Sequence, residues 1–135
     1  MNKKEDLTGL SGWLGFYVAV NIIAIIYLIL NTFIFLLDNF LFGMIFLLYL
    51  ALDGYSLYNI FKYKKRAIIF NRIFLWVGFI ILLVMKIILI FQNIQIIDAL
   101  MLGEIIGGLL FPLIGVLIWD GYWRKSKRVK NTFIR

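Results

Sequence analysis

The chain has 135 residues, is 64% hydrophobic and carries a formal net charge of +7. A soluble domain averages about 45–50% apolar residues, so the excess must face lipid. With no Cys and no His, disulfides, Cys/His zinc sites, thiol nucleophiles and imidazole bases are excluded. The chemistry that remains is sparse. Ser11, Ser56 and Ser126 have no evident base, no acids stand side by side within an apolar run, and no glycine loop precedes a Lys-Ser/Thr pair. The expectation is a chain without enzymatic activity, cofactor or metal.

Four apolar blocks follow one another, at residues 13–37, 40–61, 73–91 and 99–123. A helix rises ~1.5 Å per residue, and a hydrocarbon core of ~30 Å needs roughly 20 residues to cross. Each block is long enough to span. The predicted fold is an all-α membrane protein: a single integral domain over residues 1–135, folded as a four-transmembrane-helix up-and-down bundle. The first block follows Lys3 and Lys4. It outlasts the ~7–15-residue core of a signal peptide and no Ala-x-Ala-like site follows it, so it is read as a retained span. Asp38 and Asn39 are the whole of the next link, which forces a tight hairpin; both side chains suit a turn because they bond nearby backbone. Residues 62–66 and the tail 124–135 are basic and read as short solvated segments or helical extensions. No internal repeat is evident.

Of the 14 cations, all but Lys86 fall in three segments. These are Lys3 and Lys4; Lys62, Lys64, Lys65, Arg66 and Arg72; and Arg124, Lys125, Lys127, Arg128, Lys130 and Arg135. The two alternate links carry none. Positive segments stay cytoplasmic, so both termini are expected inside, as an even number of spans requires. Charges at span ends set topology and meet anionic lipid, which makes nucleic acid an unneeded partner. Trp13, Phe16, Tyr17, Tyr122 and Trp123 sit at inner span ends, where amphipathic rings favour the interface.

A polar group in hydrocarbon must find a partner. Tyr49, Asp53 and Ser56 share one face of the second block; Tyr17, Asn21, Ala24 and Asn31 share one face of the first. Asn21 and Asp53 are each eight residues from the inner end of their block, which predicts an Asn21–Asp53 hydrogen bond across the hairpin. Asp53 lies ~12 Å deep by the helical rise, too deep for its short side chain to reach the surface. A charge at the bilayer centre costs ~2.5–3.5 kcal/mol on insertion scales. Two interpretations follow: a proton- or cation-handling site, or a neutral acid fastening the hairpin.

Lys86 and Glu104 lie at similar depth in the third and fourth blocks, so either a salt bridge joins them or Lys86 snorkels to the outer surface. Gly103-x-x-x-Gly107 matches the small-x-x-x-small pattern of close helix approach, and Pro112 is expected to kink the same block. Asp120 is read as a solvated interfacial charge, with Arg72 or a tail cation as the alternative partner.

The tail orders its polar and apolar residues as Tyr122-x-x-x-Ser126-x-Arg128-Val129-x-x-Thr132-Phe133, and the first block opens with Gly9-Leu10-Ser11-Gly12-Trp13-Leu14. The closing pattern resembles that of a YdgK-like family of small bacterial membrane proteins, whose members also tend to open with Gly-Leu-x-Gly-Trp-Leu. The two motifs bracket nearly the whole chain. The resemblance implies a multi-pass protein of the bacterial inner membrane with four spans, and that Gly12, Trp13 and Leu14 and the tail belong to a shared core. It carries no mechanism. The tail either packs back beside the start of the first span, with Phe133 in a groove, or adsorbs loosely to anionic lipid. Two functions fit: an accessory protein that partners another membrane protein or itself, which is preferred, or a small transporter or channel subunit using Asp53.

Overall fold

The structure is a computed structural model that describes residues 9–92 and 99–133. Lys3, Lys4, Asp98, most of the link between the third and fourth blocks, and Arg135 lie outside the described residues. The described chain forms α1 (Gly12–Asp38), α2 (Phe40–Phe61), α3 (Arg66–Gln92), α4 (Ala99–Lys125) and the short α5 (Lys127–Thr132), with no strand among them. The first four helices are long and apolar enough to cross a membrane, which fits a multi-pass membrane protein.

Asn39 alone turns α1 into α2. Its backbone N–H donates to the Phe35 carbonyl at 2.8 Å, and its Oδ1 accepts from the Phe42 N–H at 3.3 Å. One residue thus closes one helix and caps the next. Such a hairpin holds the helices very close. A Cβ on Gly43 would stand 2.6 Å from the backbone of Leu36, so only glycine fits there.

Register runs antiparallel throughout. Phe35 stacks on Phe46 at 4.8 Å and Tyr49 on Phe74 at 4.7 Å. Arg72 pairs with Asp120 at 2.6 Å, while the Lys86 ammonium lies beside Gly108. Consecutive helices therefore pack as up-and-down neighbours. α1 meets α4 through rings, Tyr17 lying 4.7 Å from Trp119 and 5.3 Å from Trp123.

α3 begins at Arg66, well ahead of the apolar block's residue 73. The apolar run marks the thickness of hydrocarbon, whereas a helix continues wherever its backbone can. The turn before it puts Tyr63 at φ +51°, a left-handed conformation uncommon for a residue with a side chain. Hydrogen bonds from Tyr63 N–H to Ile60 O and from Lys64 N–H to Asn59 O hold it.

The core is concentrated at one end. Leu14, Tyr17 and Val18 of α1, Leu57 and Ile60 of α2, Ala67 of α3, Trp123 of α4 and Val129 of α5 bury together with Phe133. This end carries the basic link and the tail, and we call it the basic end. In the far half, only Thr32, Gly43 and Ile105 are buried among the described residues. Leu37 and Phe111 there are 87% and 79% exposed. Outward apolar rings and aliphatics are what a lipid solvent selects.

Candidate functional site: a buried polar layer under a docked tail

The tail is folded back onto the bundle. Ser126 breaks α4 from α5 and caps α5, its Oγ accepting from the Val129 N–H at 3.4 Å. Val129 and Phe133 are 0% and 2% exposed. The Phe133 ring lies 5.6 Å from Trp123 and 6.5 Å from Tyr63. Arg128 donates to the Ser11 hydroxyl. The closing motif thus touches the opening motif, and both described ends sit at the basic end. Each motif position has a role in this arrangement: Ser126 caps, Arg128 reaches Ser11, and Val129, Thr132 and Phe133 are buried. Tyr122 packs edge-on to Trp119 at 5.7 Å. In the opening motif Leu14 is fully buried, while Trp13 is 68% exposed and Gly12 takes φ +59° at the start of α1.

Two rings expected at the interface lie inside the protein instead. Tyr17 and Trp123 are buried. The Tyr17 hydroxyl donates to Asn71 Oδ1 at 3.0 Å, and Asn71 Nδ2 donates to the Ala67 carbonyl at 2.9 Å. Tyr17, whose polar tip has a protein partner, has no need of the headgroup layer, whereas Trp123 Nε1 is buried without a partner and its ring is held by packing against Tyr17 and Phe133.

Beneath this core lies a polar layer contributed by α1, α2 and α3. Asn21, Asp53, Ser56, Asn59 and Asn71 are all buried. Asn59 Nδ2 donates to the Tyr55 carbonyl at 2.7 Å. Asn21 of α1 and Asp53 of α2 both lie in this layer, as the matched depths predict. The expected hydrogen bond is nonetheless not made: Asn21 Nδ2, both Asp53 oxygens, Ser56 Oγ and Asn59 Oδ1 are buried without a partner. Tyr49, on the same α2 face, turns its hydroxyl toward Gly78 of α3, where a Cβ would come within 2.9 Å of the ring's Cζ. Asn31, the far member of the α1 stripe, bonds its own helix at the Tyr27 carbonyl, 2.8 Å away.

The other polar pairings regroup. Asp120 is 4% exposed and takes two cations, Arg72 Nε at 2.6 Å and Arg124 Nε at 3.1 Å. Solvation was the favoured expectation for Asp120, but α3 extends far enough to bring Arg72 over it. Lys86 and Glu104 form no ion pair among the described residues. The Lys86 stem lies over Gly108, one helical turn from Glu104, and Glu104 is exposed. Gly103 and Gly107 meet nothing within 4 Å, so their close-approach surface faces outward. Pro112 lies inside the continuous helix α4.

Asn59 and Asn71 are the members that sequence reasoning missed, while the Arg72–Asp120 pair is the alternative it weighed below solvation. Asn71 and Arg72 precede the apolar block and so fell outside the predicted span. A signal for the tail was present: positions 122, 126, 129 and 133 share one helical face. Comparison with protein-family models, with curated proteins and with solved structures gave no match.

Proposed function

We propose that the chain is a non-catalytic accessory protein of the bacterial inner membrane, with both termini cytoplasmic, that binds another membrane protein or a second copy of itself. The observation that carries this reading is the closed basic end. Five helices and Phe133 share one core there, directly over the polar layer. Four clefts on the described residues are lined by other side chains, and Asp53 lines none of them. A transporter needs a wet path to its ionisable group. An adaptor needs a rigid body with an uncovered face, and α4 offers one in Gly103, Gly107 and Phe111. The cation distribution supports the cytoplasmic assignment. The bacterial inner-membrane assignment rests on the resemblance of the opening and closing motifs to the YdgK-like family.

Mild crosslinking in native membranes tests it. A discrete crosslinked species, lost in Gly107→Trp, is the expected result; a monomer throughout would overturn the reading. A second reading, a proton- or cation-handling unit, rests on the fully buried and unpartnered Asp53 carboxyl. Solute uptake into vesicles that fails in Asp53→Asn while the protein stays folded would favour it over the first.

A further inference from the structure

The cations are arranged differently from what their sequence suggests. The tail is the longest basic segment, yet Arg128 and Arg124 are engaged by Ser11 and Asp120. The short link between α2 and α3 instead lines a cleft with its basic residues, the Lys64 ammonium lying 4.8 Å over the Tyr58 ring and none of them held by an acid among the described residues. Lys64, Lys65, Arg66 and Ile69 line about 480 Å³ at the mouth of α3. A second cleft of about 300 Å³ continues from Ile69 along the helix, lined also by Arg72, Ile73, Trp76, Val77 and Ile80.

The two clefts adjoin at Ile69, the residue they share, and are taken together as one groove. Its walls follow from helix geometry. Ile69, Ile73 and Val77 form one i, i+4 ridge; Arg72, Trp76 and Ile80 form the neighbouring one. The space between adjacent ridges is a groove that takes a complementary rod. In length, Ile69 to Ile80 covers about 16 Å of helix, close to the ~15 Å of one leaflet of hydrocarbon. In chemistry, the groove is cationic at the basic end and apolar below. Arg72 stands between the two zones, its Nε held by Asp120 and its side chain still 36% exposed.

We infer that this groove is a binding site for one anionic glycerophospholipid, its phosphate at Lys64, Lys65 and Arg66 and an acyl chain along Ile69–Val77. The argument is charge complementarity at the mouth combined with a groove one leaflet deep. A soluble phosphate would use only the mouth. A zwitterionic lipid would fill the groove but bring no net charge to three cations. A partner helix would set a ridge of its own into the groove, but an ordinary apolar span would leave the three cations at the mouth without an anion. The inference rests on the chain being membrane-embedded and does not depend on its having a protein partner.

Native mass spectrometry of the full chain released from nanodiscs tests it, with phosphatidylglycerol and phosphatidylcholine as probes. One phosphatidylglycerol should stay bound in preference to phosphatidylcholine. Lys64→Gln with Lys65→Gln should weaken that retention by roughly thirtyfold, the combined effect of two interfacial cations. Ile73→Trp, which blocks the groove and keeps every charge, should weaken it too. Lys127→Gln with Lys130→Gln in the tail should leave it unchanged. Equal retention of the two lipids, equal loss from the tail variant, or displacement by millimolar inorganic phosphate would overturn the site. Retained helicity by circular dichroism in each variant separates these outcomes from failure to fold. Recovery of the chain in a detergent-free soluble fraction would instead overturn the membrane reading itself.

Discussion

At the scale of single residues, the polar side chains decide what the helices do inside hydrocarbon. Asn71 is the best satisfied, accepting from Tyr17 and donating to Ala67. Tyr17→Phe would leave Asn71 Oδ1 without its donor and unlink α1 from α3. Hydrogen bonds between membrane helices average ~0.6 kcal/mol, with a maximum near 1.7. A loss of about 1 kcal/mol, read as a lower thermal midpoint in detergent, is the expected outcome; an unchanged midpoint would argue against the bond. Asp53 was legible in the sequence as a buried acid on the same face as Tyr49 and Ser56. Its depth match to Asn21 was legible as well. What spacing could not supply is side-chain direction: facing residues on two helices differ by an ångström or so between bonded and unbonded. The same limit explains Lys86, whose depth matches Glu104 but whose stem settles over the missing Cβ of Gly108.

At the scale of elements, the helices are set by one close approach and one docked segment. Gly43 lets α2 pass against the Leu36 backbone. Gly43→Ala forces the hairpin apart, and overpacking of this kind costs about 1–3 kcal/mol. Lower yield of folded protein and a lower midpoint should follow, whereas Gly54→Ala, where a Cβ meets nothing within 4 Å, should be silent. The tail is held by Phe133 and Val129. Phe133→Ala opens a cavity beside Trp123, with a cost of about 3 kcal/mol by analogy with soluble cores, and should release residues 126–133 to protease digestion. Tail residues already cleaved at the same rate in the unmodified protein would show that docking is absent. Four spans could be read from the sequence because lipid exposure writes apolarity on every face. The docking of α5 was legible only as one of two alternatives, because its burial rests on two apolar side chains among cations, a signal too small for hydropathy. The start of α3 was obscured for a related reason: Arg66 to Arg72 is helical but polar enough to read as a link.

At the scale of the whole molecule, the protein is tight at one end and loose at the other. Nearly all burial, both described chain ends and most of the cations share the basic end, while the far half exposes apolar side chains. This asymmetry matches a bundle whose basic end is built as a platform and whose far half is completed by lipid or a partner. The native absence of Cys makes the arrangement directly measurable. Single cysteines placed at the exposed positions Lys65, Lys130 and Asp38 can be labelled with a membrane-impermeant thiol reagent in intact cells and in inverted membrane vesicles. Positions 65 and 130 should react only in inverted vesicles and position 38 only in intact cells. Labelling of 65 and 130 from opposite faces would contradict the even-span bundle with both ends on the cytoplasmic side.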